Sequence, residues 1–210
     1  MRTNLIVVDD FYQNPDEVRE FALKQVYTDE GFNYPGKRTI PCGISDECKD
    51  SIAALLLPHG GKIVNFGDYE GSPVHSGSFA MQHSRDRSSW IHADIYNNWA
   101  GMLYLHPDAP LNSGTDFYKH GASGDLRLED REKYRTWSSS GLDASGSRGE
   151  SHQVDAADFS KWEKVLSVGN VYNRLILFRA DQFHTGGPYF GASMGVDARL
   201  TQIFFISTEY

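Results

Sequence analysis

Two histidines and an aspartate carry the clearest chemical signal in this chain. In "WIHADIY", His92 and Asp94 stand two apart in an apolar, strand-like setting, so their side chains leave the same face and point at one spot. A third ligand must come from a distant segment, and "RADQFHTGGP" offers His184 just past the apolar run "NRLILF". Two imidazoles and one carboxylate on one face of an octahedron leave three positions open. That suits an Fe(II) ion that must bind a cosubstrate and O2 together, although zinc accepts the same donors with an open position. A His-x-Asp pair is common by chance. The chain holds a rival in His106 and Asp108 of "LHPDAP", which Pro107 and Pro110 place in a turn. His83 and His120 are either further ligands or ordinary hydrogen-bonded histidines.

A second constellation follows His184. Strand periodicity in "ARLTQIFFIS" puts Arg199, Thr201, Ile203 and Phe205 on one face and Leu200, Gln202, Phe204 and Ile206 on the other. An arginine in an otherwise apolar strand is costly without a partner. A guanidinium binds a carboxylate through two parallel hydrogen bonds, and a hydroxyl two residues on can add a third, so Arg199 and Thr201 suit one end of a dicarboxylate. The alternative partner is a protein acid such as Asp197 or Asp116. Tyr104 in "GMLYLH" is either a further donor to that carboxylate or simply a core residue.

The elements that must position these residues are short. "NLIVVDD" predicts a buried strand, and "NPDEVREFALKQ" a helix capped by Asn14 with Pro15 at its first position. Val18, Phe21, Ala22 and Val26 recur at helical spacing and would pack it onto a sheet. "KDSIAALLL" predicts a second helix ended by "PHGG". Beyond it, apolar pieces separated by Gly, Pro, Asn and Asp ("KIVNF", "VHSGSFAMQHS", "WIHAD", "WAGMLYLH", "GTDFYKH", "NRLILFRA", "RLTQIFFIS") favour an antiparallel β-sandwich or barrel over repeated strand-helix-strand units. An insertion at about 121–169 interrupts the strands. It holds "LEDREKYRTW", predicted as a charged helix, a Ser/Gly-rich stretch that is either a lid or a disordered loop around Ser138 to Ser151, and "DAADFSKWEKVLSV", predicted as an amphipathic helix burying Phe159, Trp162, Val165 and Leu166.

At 210 residues the chain fits one domain, 1–210, with a sizeable core. A net charge of −8 with scattered basic residues argues against a nucleic-acid surface and leans toward a small molecule or a peptide side chain as partner. The two cysteines, Cys42 and Cys48, are too few for a disulfide framework and not spaced as a zinc site. The opening apolar run "LIVV" is too short for a signal peptide or membrane span, so a cytoplasmic protein is expected. Trp90, Trp99, Trp137, Trp162 and Tyr189 either stack on a ligand or fill cores.

Taken in order, "WIHAD", "GMLYL", "SGTDFY", "NRLILFRADQFHTG" and "RLTQIFFI" resemble the Fe(II)/2-oxoglutarate-dependent dioxygenases, especially the prolyl-hydroxylase-like branch and its small phage and bacterial relatives. The opening "LIVVDDFYQNPDEV" is similar to that branch's strand-to-helix start, and the resemblance spans nearly the whole chain apart from the insertion. It implies a mainly β (α+β) fold: a double-stranded β-helix, or jelly-roll, cupin-like core with flanking N-terminal helices. It implies that His92, Asp94 and His184 hold iron, that Arg199 and Thr201 grip the far carboxylate of 2-oxoglutarate, and that Tyr104 helps. It also implies an oxygenase consuming 2-oxoglutarate and O2, with ascorbate as an aid, releasing succinate and CO2. Related halogenases replace the acidic ligand with a small residue, so Asp94 favours a hydroxylase. The spacing from His184 to Arg199 is longer than in prolyl hydroxylases, which commonly place a Lys there, and is harmless if "GGPYFGASMG" is a turn. The competing readings are another cupin-like or zinc metalloenzyme, and a non-catalytic β-sandwich binding module in which the histidines are structural.

Overall fold

Alternation of side chains along a strand lets one sheet serve two purposes, and here a single large sheet does so. A computed structural model describes residues 3–28, 34–42, 44–68, 75–86, 89–129 and 155–209. In chain order the elements are β1 (Leu5–Val8), α1 (Pro15–Leu23), β2 (Lys37–Arg38), α2 (Asp46–Gly60), β3 (Lys62–Asn65), β4 (Phe79–Gln82), β5 (Trp99–Tyr104), β6 (Thr115–His120), β7 (Trp162–Val168), β8 (Leu175–Arg179), β9 (His184–Gly186) and β10 (Arg199–Glu209). The major sheet runs β1-β8-β5-β10-β4-β2 with β3 also on β10, and the minor sheet runs β7-β6-β9. All pairings are antiparallel. The two sheets form the jelly-roll, double-stranded β-helix core expected from the sequence.

The outer face of the major sheet carries Phe79, Met81, Trp99, Leu103, Leu177, Leu200, Phe204 and Ile206, packed against Ala22 of α1 and Cys48, Ile52 and Leu56 of α2. Each such side chain, fully buried, contributes roughly 1.5–3 kcal/mol. Contact is close where α2 ends: a Cβ on Gly60 would sit 2.5 Å from the Trp99 indole nitrogen. The inner face faces the minor sheet, with Ala100, Tyr104, Ile176 and Phe178 meeting Phe117 and Val168.

Local predictions fared unevenly. Pro15 does open α1, but the Asn14 side chain makes no capping hydrogen bond, and the helix stops at Leu23. Val26 therefore lies beyond it and is exposed, and Phe21 is only half-buried, edge-on to Phe79. Helix α2 runs through Pro58 to Gly60 instead of ending before it. Ser45 caps its start, accepting from the Cys48 amide, and Gly61, at φ 86°, ends it in a conformation that only glycine adopts freely.

The amphipathic helix expected over "DAADFSKWEKVLSV" is instead a short 3-10 turn at 159–161 followed by β7. The open edge of β6 supplies a ladder of backbone partners to these residues, broken by one register shift at Val165, and the β-branched Val165 and Val168 accept the extended form. Trp162 and Val168 are buried, whereas Phe159, Val165 and Leu166 are half-exposed. The Ser/Gly-rich stretch expected as a lid or disordered loop, nearly all of the charged helix expected before it, and Trp137 lie outside the described residues.

Candidate functional site

The segment carrying His92 and Asp94 is extended but joins no regular strand; backbone hydrogen bonds at both residues fix it. His92 and His184 exchange N–H to carbonyl bonds of 3.0 and 2.8 Å, and the Asp94 amide donates to the Ala180 carbonyl at 2.7 Å. Directly opposed residues of an antiparallel pair project to the same side. The two imidazole rings accordingly lie 4.4 Å apart, centroid to centroid. His184 is in turn paired with Phe117 of β6, which ties the cluster to the minor sheet.

Both histidines are oriented by the backbone. Nδ1 of His92 lies 3.0 Å from the Trp90 carbonyl and Nδ1 of His184 2.9 Å from the Gln182 carbonyl. A carbonyl only accepts, so each Nδ1 carries a hydrogen and each Nε2 is left to face the site. Those Nε2 atoms lie 4.0 and 3.7 Å from the two carboxylate oxygens of Asp94. One ligand atom from each of His92, Asp94 and His184 falls within 4.8 Å of the others, the sole such grouping of three among the described residues. Burial, then the neighbouring His92, push the His184 pKa down to about 4, against the pull of Asp94. Its lone pair is therefore available at neutral pH. Two imidazoles and a carboxylate converging from one side fit a divalent transition metal with open positions.

Of the other histidines weighed as ligands, none joins this cluster. His106 and Asp108 form a turn in which the Asp108 amide donates to His106 Nδ1 at 3.2 Å. His83 pairs with Asp86. His120, fully buried, is held between Ser123 and Asp155 at 2.9 and 3.1 Å.

Arg199 is 1% exposed. Its Nε donates to the Ser113 carbonyl at 2.9 Å and one terminal nitrogen to Gln82 Oε1 at 3.0 Å, while the other contacts Met102 sulfur and the Gly114 carbonyl. All of these acceptors are neutral. Neither Asp197 nor Asp116 reaches it, and burial depresses its pKa, with only the Tyr104 and Tyr189 hydroxyls opposing. Its positive charge is thus uncompensated by any protein carboxylate among the described residues. Thr201, on the same face and fully buried, has a hydroxyl with no hydrogen-bond partner. Tyr104 stacks under Arg199, ring centroid 5.7 Å from the guanidinium carbon, but its hydroxyl is engaged by Thr115 at 2.8 Å. The fifteen-residue step from His184 to Arg199 is taken up by a non-strand loop between β9 and β10 with glycines 187, 191 and 195 at positive φ, so the longer spacing is accommodated.

A cavity of about 450 Å³ joins the two constellations, lined by His92, Asp94 and His184 at one part and by Arg199, Gln82 and Met102 at another. Trp90 and Tyr189 also line it, whereas Trp99 and Trp162 belong to hydrophobic clusters. Sequence reasoning missed Gln82, Thr115 and, above all, Arg38 and Tyr34, which line the same cavity. Strand β2 is only two residues long and carries no periodic signal. No described helix is long and apolar enough to cross a membrane.

Comparison with solved structures returns the same fold. HygX from Streptomyces hygroscopicus with nickel and 2-oxoglutarate bound aligns at TM-score 0.55 and 10% identity, covering 99% of this chain and 84% of that one. SnoN, a non-heme alpha-ketoglutarate-dependent epimerase from nogalamycin biosynthesis, aligns at 0.56 and 11% identity, covering 99% and 78%. A Trichoplax adhaerens prolyl hydroxylase in complex with a hypoxia inducible factor peptide aligns at 0.52 and 12% identity, covering 97% and 83%. The fold is that of the Fe(II)/2-oxoglutarate-dependent oxygenases. No curated protein matches in sequence. At the level of sequence the match runs over residues 1–187, which takes in His92, Asp94 and His184 but stops short of Arg199, and by it the chain belongs to the family of unknown function DUF6445.

Proposed function

We propose that this protein is a non-haem Fe(II)- and 2-oxoglutarate-dependent oxygenase that hydroxylates a small molecule or an amino-acid or peptidyl side chain, releasing succinate and CO2. The observation that carries this reading is one cavity lined both by the His92, Asp94 and His184 cluster and by a buried arginine that no protein acid neutralises. His92 and His184 would hold the metal through Nε2 and Asp94 through a carboxylate oxygen. When bound, the iron supplies the activation of O2 at the expense of 2-oxoglutarate. Arg199 supplies charge, and Thr201 a hydroxyl, for the far carboxylate of that cosubstrate. Tyr104 acts beneath them, its ring against the guanidinium and its hydroxyl on Thr115. Carbonyl bonds at Trp90 and Gln182 keep both imidazoles in one tautomer and one orientation. Phe178 packs edge-on to His184, with ring centroids 4.6 Å apart, and shields it from water.

Asp94 fills the position that a halide would need, which supports hydroxylation over halogenation. The two free thiols, Cys42 and Cys48, support a reducing, cytoplasmic setting. The test is succinate release with Fe(II), 2-oxoglutarate and ascorbate over a panel of amino acids, peptides and nucleosides, with the Asp94→Ala variant alongside. Substrate-stimulated succinate that disappears in the variant is expected. A zinc-supported hydrolysis without succinate would replace this reading with the hydrolase one.

A further inference from the structure

Two arginines line the cavity, and they differ in how they are satisfied. Arg199 has a neutral acceptor for most of its nitrogens. Arg38 has none: its guanidinium carbon sits 3.7 Å from the centre of the Tyr34 ring, its Nε is buried without a hydrogen-bond partner, and no carboxylate among the described residues forms an ion pair with it. Register explains its position. Arg38 is opposite Ala80 on β4, Ala80 is opposite Thr201 on β10, and Thr201 is opposite Tyr104 on β5. Directly opposed residues share a face, so Arg38 projects from the inner face, like Arg199, but from the edge strand of the major sheet. The acid that acts on its charge is Asp94, beyond ion-pair distance.

An arginine kept only for structure is normally hydrogen-bonded, because removing an unpaired charge from water is costly. Burial lowers the Arg38 pKa to about 10, and stacking on one aromatic face does not offset that cost. With one face of the guanidinium against Tyr34, its planar edge remains to receive a planar, two-oxygen anion. We propose that Arg38 binds a carboxylate of the primary substrate, so that the substrate is an organic acid whose remaining part lies against the aromatic walls of Tyr34, Trp90, Tyr96 and Tyr189. That it is the primary substrate, and not a ligand of another kind, rests on the oxygenase reading above. A single guanidinium matches a singly charged carboxylate better than a dianionic phosphate, which calls for more donors.

Isothermal titration calorimetry on nickel(II)-loaded protein saturated with 2-oxoglutarate tests this, with phenylacetate and 3-phenylpropionate as probes, and phenylacetamide and phenyl phosphate as controls. The expected result is binding of at least one acid, at least about tenfold weaker binding of the amide, and a loss of at least about tenfold in acid affinity in Arg38→Ala, the size of one charge-assisted contact. The 2-oxoglutarate Kd should stay within about twofold in Arg38→Ala and rise in Arg199→Ala. Circular dichroism checks the fold of each variant. Arg38→Lys, which keeps the charge but loses the fork, should fall between wild type and Arg38→Ala. The proposal is overturned if neither acid binds the wild type, if phenyl phosphate binds tighter than both acids, or if acid affinity survives in both Arg38 variants. It is equally overturned if Arg38→Ala, and not Arg199→Ala, loses 2-oxoglutarate, since Arg38 would then anchor the cosubstrate. Should the nickel-loaded wild type bind no 2-oxoglutarate, the oxygenase reading fails, while the acid titrations on that same protein still decide whether Arg38 is a carboxylate site.

Discussion

The two faces of the major sheet share the same strands and differ in almost everything else. The outer face of β4, β5 and β10 presents Phe79, Met81, Trp99, Leu103, Leu200 and Phe204 to two helices. The inner face of the same strands presents Gln82, Met102 and Arg199 to a cavity, with Tyr104 and Thr201 fully buried on that same face. Tight apolar packing on one side lets the other hold a buried charge and an unsatisfied hydroxyl. Folding energy and chemistry are thereby separated by a single residue of sequence, Arg199 from Leu200, Thr201 from Gln202. Substitutions on the inner face should change ligand affinity with little effect on stability, and those on the outer face the reverse.

The largest departure is expected at the His92, Asp94 and His184 cluster, the proposed metal site. Asp94→Ala should lose stoichiometric iron, measured by plasma mass spectrometry, and lower succinate formation by at least about 1000-fold, or ~4 kcal/mol. Full metal retention would remove Asp94 from the ligand set. On the other face, Trp99→Ala should cost about 3–5 kcal/mol in a urea titration while the folded protein keeps its 2-oxoglutarate Kd; a shift in that Kd would mean that the faces are coupled. Thr201→Val removes a buried hydroxyl that has no protein partner. Its urea midpoint should hold or rise, while 2-oxoglutarate affinity falls by about 1 kcal/mol, severalfold to tenfold. Unchanged affinity would exclude the hydroxyl from the anion site. The smallest effect belongs to neither face of the major sheet: Leu166→Ser on half-exposed β7 should cost no more than ~0.5 kcal/mol. A cost above about 2 kcal/mol would indicate that Leu166 is buried, as in the amphipathic helix that the sequence suggested.

Much of this was legible beforehand, and unevenly so. His92, Asp94 and His184 stand out because two-residue spacing and an apolar setting are local properties, and so does the split of β10 into two faces. The end of α1 and the passage of α2 through Pro58 were misplaced because helix ends depend on capping and packing as well as propensity. The helix expected at 155–168 failed for a different reason. Its apolar spacing satisfied a helical pattern, but the free edge of β6 offered backbone partners that no local pattern reveals. Arg38 gave no warning, since a Lys-Arg pair in a glycine- and proline-flanked segment looks like ordinary surface.

Sequence alone determined which donors exist, their alternation along each strand, and the presence of a lone arginine and threonine on an otherwise apolar face. These follow from steric rules acting over a few residues. Tertiary structure alone decided that His92 opposes His184, that Asp94 is drawn in through the Ala180 carbonyl, and that Arg38 reaches the same cavity across three strands. Such meetings depend on sheet register and closure between distant segments, where one residue of slip would turn every side chain to the opposite face.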